Sequence, residues 1–184
     1  MTEEKLFIPI LLGTNRKDRA SEKVASLIAS HIADSREDIE TAIVDVKDFA
    51  FPLDNYGQDI KEQFPQWKET MTRADGLIVV APEYNHGYPG PLKSVLDLLH
   101  HAEYANKVVG FAGVSAGPWG GTRVIENLLP VVRELKLSAI RTDLLFPNVR
   151  GEIENEQTKE RIDGFLNDLV FVGKSLKWGR ENIQ

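Results

Sequence analysis

Residues Gly76-Leu77-Ile78-Val79-Val80-Ala81 form an unbroken apolar run that stops at Pro82, and Leu92, Val95, Leu96 and Leu99 then recur at helical spacing. An apolar run without polar alternation is how a strand reads when helices cover both faces of a parallel sheet. Parallel neighbours need a crossover, usually a helix, so this strand-turn-helix unit commits the chain to an α/β architecture.

The same unit recurs along the chain. Further strands are expected at residues 6–12, 39–46, 107–114 and 138–146. Helical stripes are marked by Val24, Leu27, Ile28 and Ile32; by Trp67, Met71 and Ala74 behind Pro65; and by Val124, Leu128, Val131 and Leu135. Pro130 should bend the third of these, because it removes a backbone donor. A closing helix is expected over 155–178, with Ile162, Phe165, Leu166, Leu169 and Val172 inward. Residues 47–63, with Pro52 and Asn55-Tyr56-Gly57, read as a long loop. Right-handed crossovers between five such strands give a doubly wound parallel sheet with helices on both faces.

With 184 residues, 42% of them hydrophobic, the chain is expected to form one domain over 1–184. It has no cysteine, which excludes disulfides, thiolate nucleophiles and thiolate metal sites, so redox work would need a bound cofactor. A formal charge of −6 argues against a sequence-independent grip on nucleic acid. No apolar run approaches the roughly 18 residues of a membrane span, and no leader is visible, so a cytoplasmic location away from membranes is expected.

Two strand orders are common for such a sheet. Gly13-Thr14-Asn15-Arg16-Lys17-Asp18 follows the first strand and lacks the second and third glycines of a dinucleotide fingerprint, and no Gly-Lys-Ser/Thr follows any strand. The order 2-1-3-4-5 of flavodoxin-like proteins is therefore expected, which brings the loops after strands one, three and four to one crevice.

The first of these loops holds four basic and two acidic side chains over residues 14–23, against the negative total of the chain. Thr14, Ser21, Arg16 or Arg19 and the free donors of a helix start suit a phosphate monoester. Equally, Ser21 could cap the helix while the charges stay solvated. The second loop, Pro82-Glu83-Tyr84-Asn85-His86-Gly87-Tyr88-Pro89-Gly90-Pro91, is either a stiff ligand wall or a rigid connector. The third, Ser115 to Gly121, offers a hydroxyl and three glycines. A phosphate anchor followed by stiff polar and aromatic walls suits a flavin mononucleotide.

The motifs Gly13-Thr14-x-Arg16-x-x-Arg19-x-Ser21-x-Lys23, Pro82-Glu83-Tyr84-Asn85 with Pro89-Gly90-x-Leu92-Lys93, and Ser115-x-Gly117-x-x-Gly120-Gly121 together resemble the NADPH-dependent FMN reductase family, which includes quinone, chromate and azo-dye reductases. The resemblance covers about residues 5–145 and implies a flavodoxin-like fold, bound FMN, NADPH or NADH as electron donor, a small-molecule acceptor and a homodimer or homotetramer. It implies that Thr14, Arg16, Arg19 and Ser21 hold the phosphate. Pro82, Glu83, Tyr84 and Asn85 would border the flavin ring, with Ser115 and Gly117 on its other edge. Chemistry of this kind is flavin-borne and names no catalytic side chain and no metal. Trp119 falls in a variable slot of the motif.

Other polar residues point elsewhere. His100 and His101 are read as neighbours on one helix, about 100 degrees apart, and cannot share a metal. Surface or hydrogen-bonding roles are expected for His31 and His86, and a capping or structural role for Asp45. Two other classes share the fold: a non-enzymatic flavodoxin-like electron carrier, and a nucleotide binder without redox activity. Negligible turnover with NAD(P)H would mark the first, and failure to take up FMN the second.

Overall fold

Every residue of the two central strands, β5 (Gly76–Pro82) and β6 (Val108–Val114), is buried in the computed structural model, which describes residues 5–183. The two strands pair in parallel without a break from Gly76 opposite Val108 to Pro82 opposite Val114. Successive side chains go to opposite sides, as strand geometry requires. Leu77, Val79 and Ala81 enter one core with Trp67, Leu92 and Leu128, while Ile78 and Val80 enter the other with Val24, Ile28 and Phe165. Each fully buried aliphatic side chain of this kind contributes about 1.5–3 kcal/mol. Both faces are apolar, so the sheet needs helices on both.

The other three expected strands are each split in two. The first consists of β1 (Leu6–Phe7) and β2 (Ile10–Leu12). Pro9 has no N–H to give to the ladder, but its carbonyl accepts from Ile78 N at 2.9 Å, and Ile8 N and Ile10 N still donate to Glu40 O and Ala42 O. The second consists of β3 (Ile39–Glu40) and β4 (Ile43–Asp45). Between its halves the Thr41 hydroxyl donates to Ile8 O, and Val46, expected in the strand, opens a 3-10 turn. The last is β7 (Ser138–Ala139) and β8 (Leu144–Phe146). Counting each split pair as one strand, the order is 2-1-3-4-5 and all pairing is parallel.

Helices α1 (Ser21–Ser35) and α6 (Glu156–Asn182) cover one face; α2 (Pro65–Arg73), α3 (Gly90–Leu96) and α5 (Thr122–Glu134) cover the other. Pro65 opens α2, as expected. The α3 helix is shorter than its apolar stripe: it ends at Asp97, bonded to Lys93, and Leu99 is buried from the segment beyond. His100 precedes the four-residue helix α4 (His101–Tyr104), so the two histidines do not share a helix. In α5 the fully buried face is Val124, Ile125, Leu128 and Val132, with Val131 only partly buried and Pro130 on the exposed side. Asn155 is the cap of α6, its side chain accepting from Thr158 N at 2.9 Å, and the helix runs four residues past Trp178. The expected loop at 47–63 contains two 3-10 turns and is pinned by the rings of Phe49 and Phe51, which pack on Phe64. No helix among the described residues is long and apolar enough to cross a membrane.

Candidate functional site

Parallel strands present all their carboxyl ends at one edge, and the loops there interlock. The chain leaves β2 through Gly13, whose N–H donates to Val80 O at 2.9 Å. A Cβ at Gly13 would stand 2.9 Å from that oxygen and from Leu92 Cδ2, so this close crossing requires glycine. Thr14 is buried, and its Oγ1 shares a 2.8 Å hydrogen bond with Tyr84 Oη, tying the first loop to the second. Arg16 N donates to the same Oγ1, and the Arg16 guanidinium lies 5.9 Å from the Tyr84 ring centre.

Arg19 turns inward, contrary to the picture of a free phosphate ligand. Its Nη1 donates to Thr14 O at 2.6 Å and Asp45 Oδ1 at 2.8 Å, and its Nη2 pairs with Asp45 Oδ2. Asp45 stands opposite Leu12 in the β2–β4 register, which delivers it beside the loop. Burial pushes the Asp45 carboxyl up, but hydrogen bonds from Arg19 and the Lys47 backbone hold it below the ordinary aspartate value. The expected structural role of Asp45 is therefore to latch Arg19 and to cap the turn at Lys47.

Ser21 is the first residue of α1, and Ala20 occupies the cap position with no side chain capping the helix. The alternative reading of Ser21 as a cap is thus not realised. No side chain caps this start: Glu22 N and Lys23 N turn back to Arg19 O and Ala20 O at 3.4 and 3.1 Å beside the buried Ser21, and the positive end of the helix still favours an anion there.

The second loop begins as an extension of the sheet, with Glu83 N donating to Val114 O at 2.9 Å. Tyr84 and Gly87 then exchange two backbone hydrogen bonds across Asn85 and His86, both at positive φ, as a tight two-residue hairpin demands. Helix α5 braces this turn: Asn127 donates to His86 O, and Arg123 Nε and Nη2 reach Glu83 Oε1 at 2.6 and 2.5 Å. The Glu83 side chain is 5% exposed, and its Oε2 is buried without a partner among the described residues.

In the third loop the Ser115 hydroxyl donates to Gly117 O and accepts from Gly120 N, both at 2.8 Å, so it closes the loop on itself. Trp119 projects at the apex, 62% exposed, with the Arg123 guanidinium 5.6 Å from its ring centre. A fourth loop, after β8, docks against the third through Asn148 N to Gly117 O and Val149 N to Ser115 O.

These loops enclose a cleft of about 390 Å³, within the usual size range of small-molecule sites. Of the residues expected there, Arg16, Arg19, Ser21, Pro82, Glu83, Tyr84 and Ser115 line it. Thr14 lies beneath as a support, Gly117 contributes its carbonyl to the loop frame, and Asn85 stands exposed at the hairpin tip. The sequence reading missed Val149 and Arg150, which line the cleft from the fourth loop, and Arg123, which holds Glu83. The rule that all strand ends share one edge could have pointed to the fourth loop. His31 is engaged away from the cleft, 2.7 Å from Asp163. No group of three or more metal-ligating side chains occurs among the described residues.

A doubly wound sheet with an open helix start and stiff polar walls at its switch point defines a flavodoxin-like nucleotide-binding protein. The chain belongs to the NADPH-dependent FMN reductase family, whose model matches residues 8–150. It is similar to a 2-hydroxy-1,4-benzoquinone reductase of Burkholderia sp, 29% identical over 177 residues covering 88% of this chain and 93% of the relative. A quinone reductase of Escherichia coli K12 is 30% identical, covering 91% of each chain. Among solved structures, the flavoenzyme NAD(P)H:(acceptor) oxidoreductase FerB of Paracoccus denitrificans shares the fold, with a TM-score of 0.75, 18% identity and coverage of 92% of this chain and 98% of that one. The chain is an FMN-dependent NAD(P)H oxidoreductase.

The residues present fit FMN. The helix start and the cations of the first loop suit its phosphate, and an N–H-bearing ring edge against the second loop would satisfy the lone Oε2 of Glu83.

Proposed function

We propose that this chain reduces quinones and related small acceptors with NADPH in two alternating half-reactions, as a homodimer or homotetramer. The observation that carries this reading is the cleft of about 390 Å³ where the four loops meet, its walls fixed by hydrogen bonds. Bound FMN would supply two-electron transfer, accepting a hydride equivalent and returning it.

The chain's own residues bind and orient. The α1 start with Ser21 and Arg16 would hold the phosphate, and Pro82, Glu83 and Tyr84 with the third loop would border the ring. The Thr14–Tyr84 hydrogen bond and the Arg123–Glu83 pair fix the walls against which the ring would rest. Donor and acceptor would take turns on the exposed face of the bound flavin. In sum, NADPH, a proton and a quinone give NADP⁺ and a hydroquinone, and the acceptor's protons come from water at the mouth. The identities to two quinone reductases support quinones ahead of azo compounds, metal oxyanions or free flavin. Exposed Trp119 beside the cleft is compatible with a subunit contact there.

Initial rates of the FMN-loaded protein, measured over a grid of NADPH and 1,4-benzoquinone concentrations, are expected to give parallel double-reciprocal lines. Intersecting lines would contradict alternation, and absence of quinone turnover would reject the acceptor class.

A further inference from the structure

The diversion of Arg19 leaves the phosphate anchor one guanidinium short. Both Arg19 Nη atoms face Asp45, and the residue is only 9% exposed, so its charge is cancelled before any ligand arrives. Across the cleft stands Arg150, an exposed residue for which the structure shows no hydrogen bond or ion pair among the described residues. Its backbone is anchored on both sides: Val149 is buried and donates to Ser115 O, and Gly151 N donates to Asn148 O at 2.9 Å.

Charge balance at the cleft points the same way. Arg123 neutralises Glu83 and Asp45 neutralises Arg19, which leaves Arg16, Lys17 and Arg150 against Asp18 alone. A locally positive cleft in a chain of net charge −6 suits a dianion. Glu83, whose buried Oε2 has no partner among the described residues, lines the same cleft and leaves a hydrogen-bond acceptor unsatisfied there.

We propose that Arg150 is a phosphate-monoester-binding residue of this cleft, supplying from the fourth loop the guanidinium contact that Arg19 gives up to Asp45. The inference rests on the reading of the cleft as an FMN site. FMN brings such a group, and the 2′-phosphate of NADPH is a second source of the same chemistry.

The test is flavin binding to apoprotein, followed by quenching of flavin fluorescence, with FMN and riboflavin compared in wild type and Arg150→Ala. Loss of a hydrogen bond to a charged group predicts a fall in FMN affinity of about 10- to 100-fold, with riboflavin affinity unchanged. Arg150→Lys is expected to retain part of the affinity, as a point charge without the bidentate fork. A second arm compares kcat/KM for NADPH and NADH. Selective loss with NADPH at unchanged FMN affinity would assign Arg150 to the donor's phosphate and still support a monoester contact. Unchanged behaviour in both arms, or equal weakening of FMN and riboflavin, would overturn the proposal. If wild-type protein bound no FMN, the reading of the cleft would fail rather than the role of Arg150.

Discussion

Gly121→Ala is expected to lower the melting temperature by about 6–12 °C, whereas Gly117→Ala should leave it nearly unchanged. Gly121 sits at φ 85° at the start of α5, and a Cβ there would lie 2.4 Å from Val114 N and 2.6 Å from the Gly113 carbonyl carbon. Those are backbone atoms of the central strand and cannot swing aside. Left-handed strain and overpacking together cost about 3 kcal/mol or more, which converts to the stated shift for a chain of this size. A Cβ on Gly117 meets nothing within 4 Å, and its φ is not positive. Thermal unfolding followed by circular dichroism separates the two. Equal melting temperatures would mean that the third loop is not packed onto β6 as described.

Arg123→Ala should cost about 2–3 kcal/mol of folding stability. Its guanidinium is 40% exposed, but Glu83 is almost fully buried and would lose the partner of its Oε1 while Oε2 already has none. Breaking a fully buried pair costs about 3–5 kcal/mol, and water entering from the arginine side reduces that here. The double variant Arg123→Ala with Glu83→Gln removes the stranded charge and should recover part of the loss in urea unfolding. No recovery would show that the carboxylate is not the source of the cost. Since Glu83 leads into the Tyr84–Gly87 hairpin, the single variant should also loosen the wall of the cleft.

The alternation of apolar runs and helical stripes was enough to read a doubly wound parallel sheet, because β5 and β6 are buried on both faces and their sequences say so, while its order was read from the glycines missing after the first strand. The breaks inside the other strands were less legible. Pro9 lies in a strand whose neighbour supplies a donor to its carbonyl, and Thr41 uses its hydroxyl on Ile8 O; both are cross-strand facts.

At the cleft, the loops were legible from glycines, prolines and local charge, while the destination of each side chain was not. Whether Arg19 faces a ligand or a carboxylate depends on the register that sets Asp45 beside Leu12. The commitment of the Ser115 hydroxyl to its own loop depends on the left-handed bends at Gly120 and Gly121. Arg150 escaped because its strand lies three places from β2 in the sheet, and only the folding back of the fourth loop brings it to the first.

The central claim is that the cleft at the ends of β2, β5 and β6 holds FMN and passes electrons from NAD(P)H. Its most direct test is the visible absorbance of the FMN-loaded protein during anaerobic titration with NADPH. The flavin band is expected to bleach in proportion to the donor added and to return on addition of 1,4-benzoquinone. A band that persists with both NADPH and NADH would contradict it.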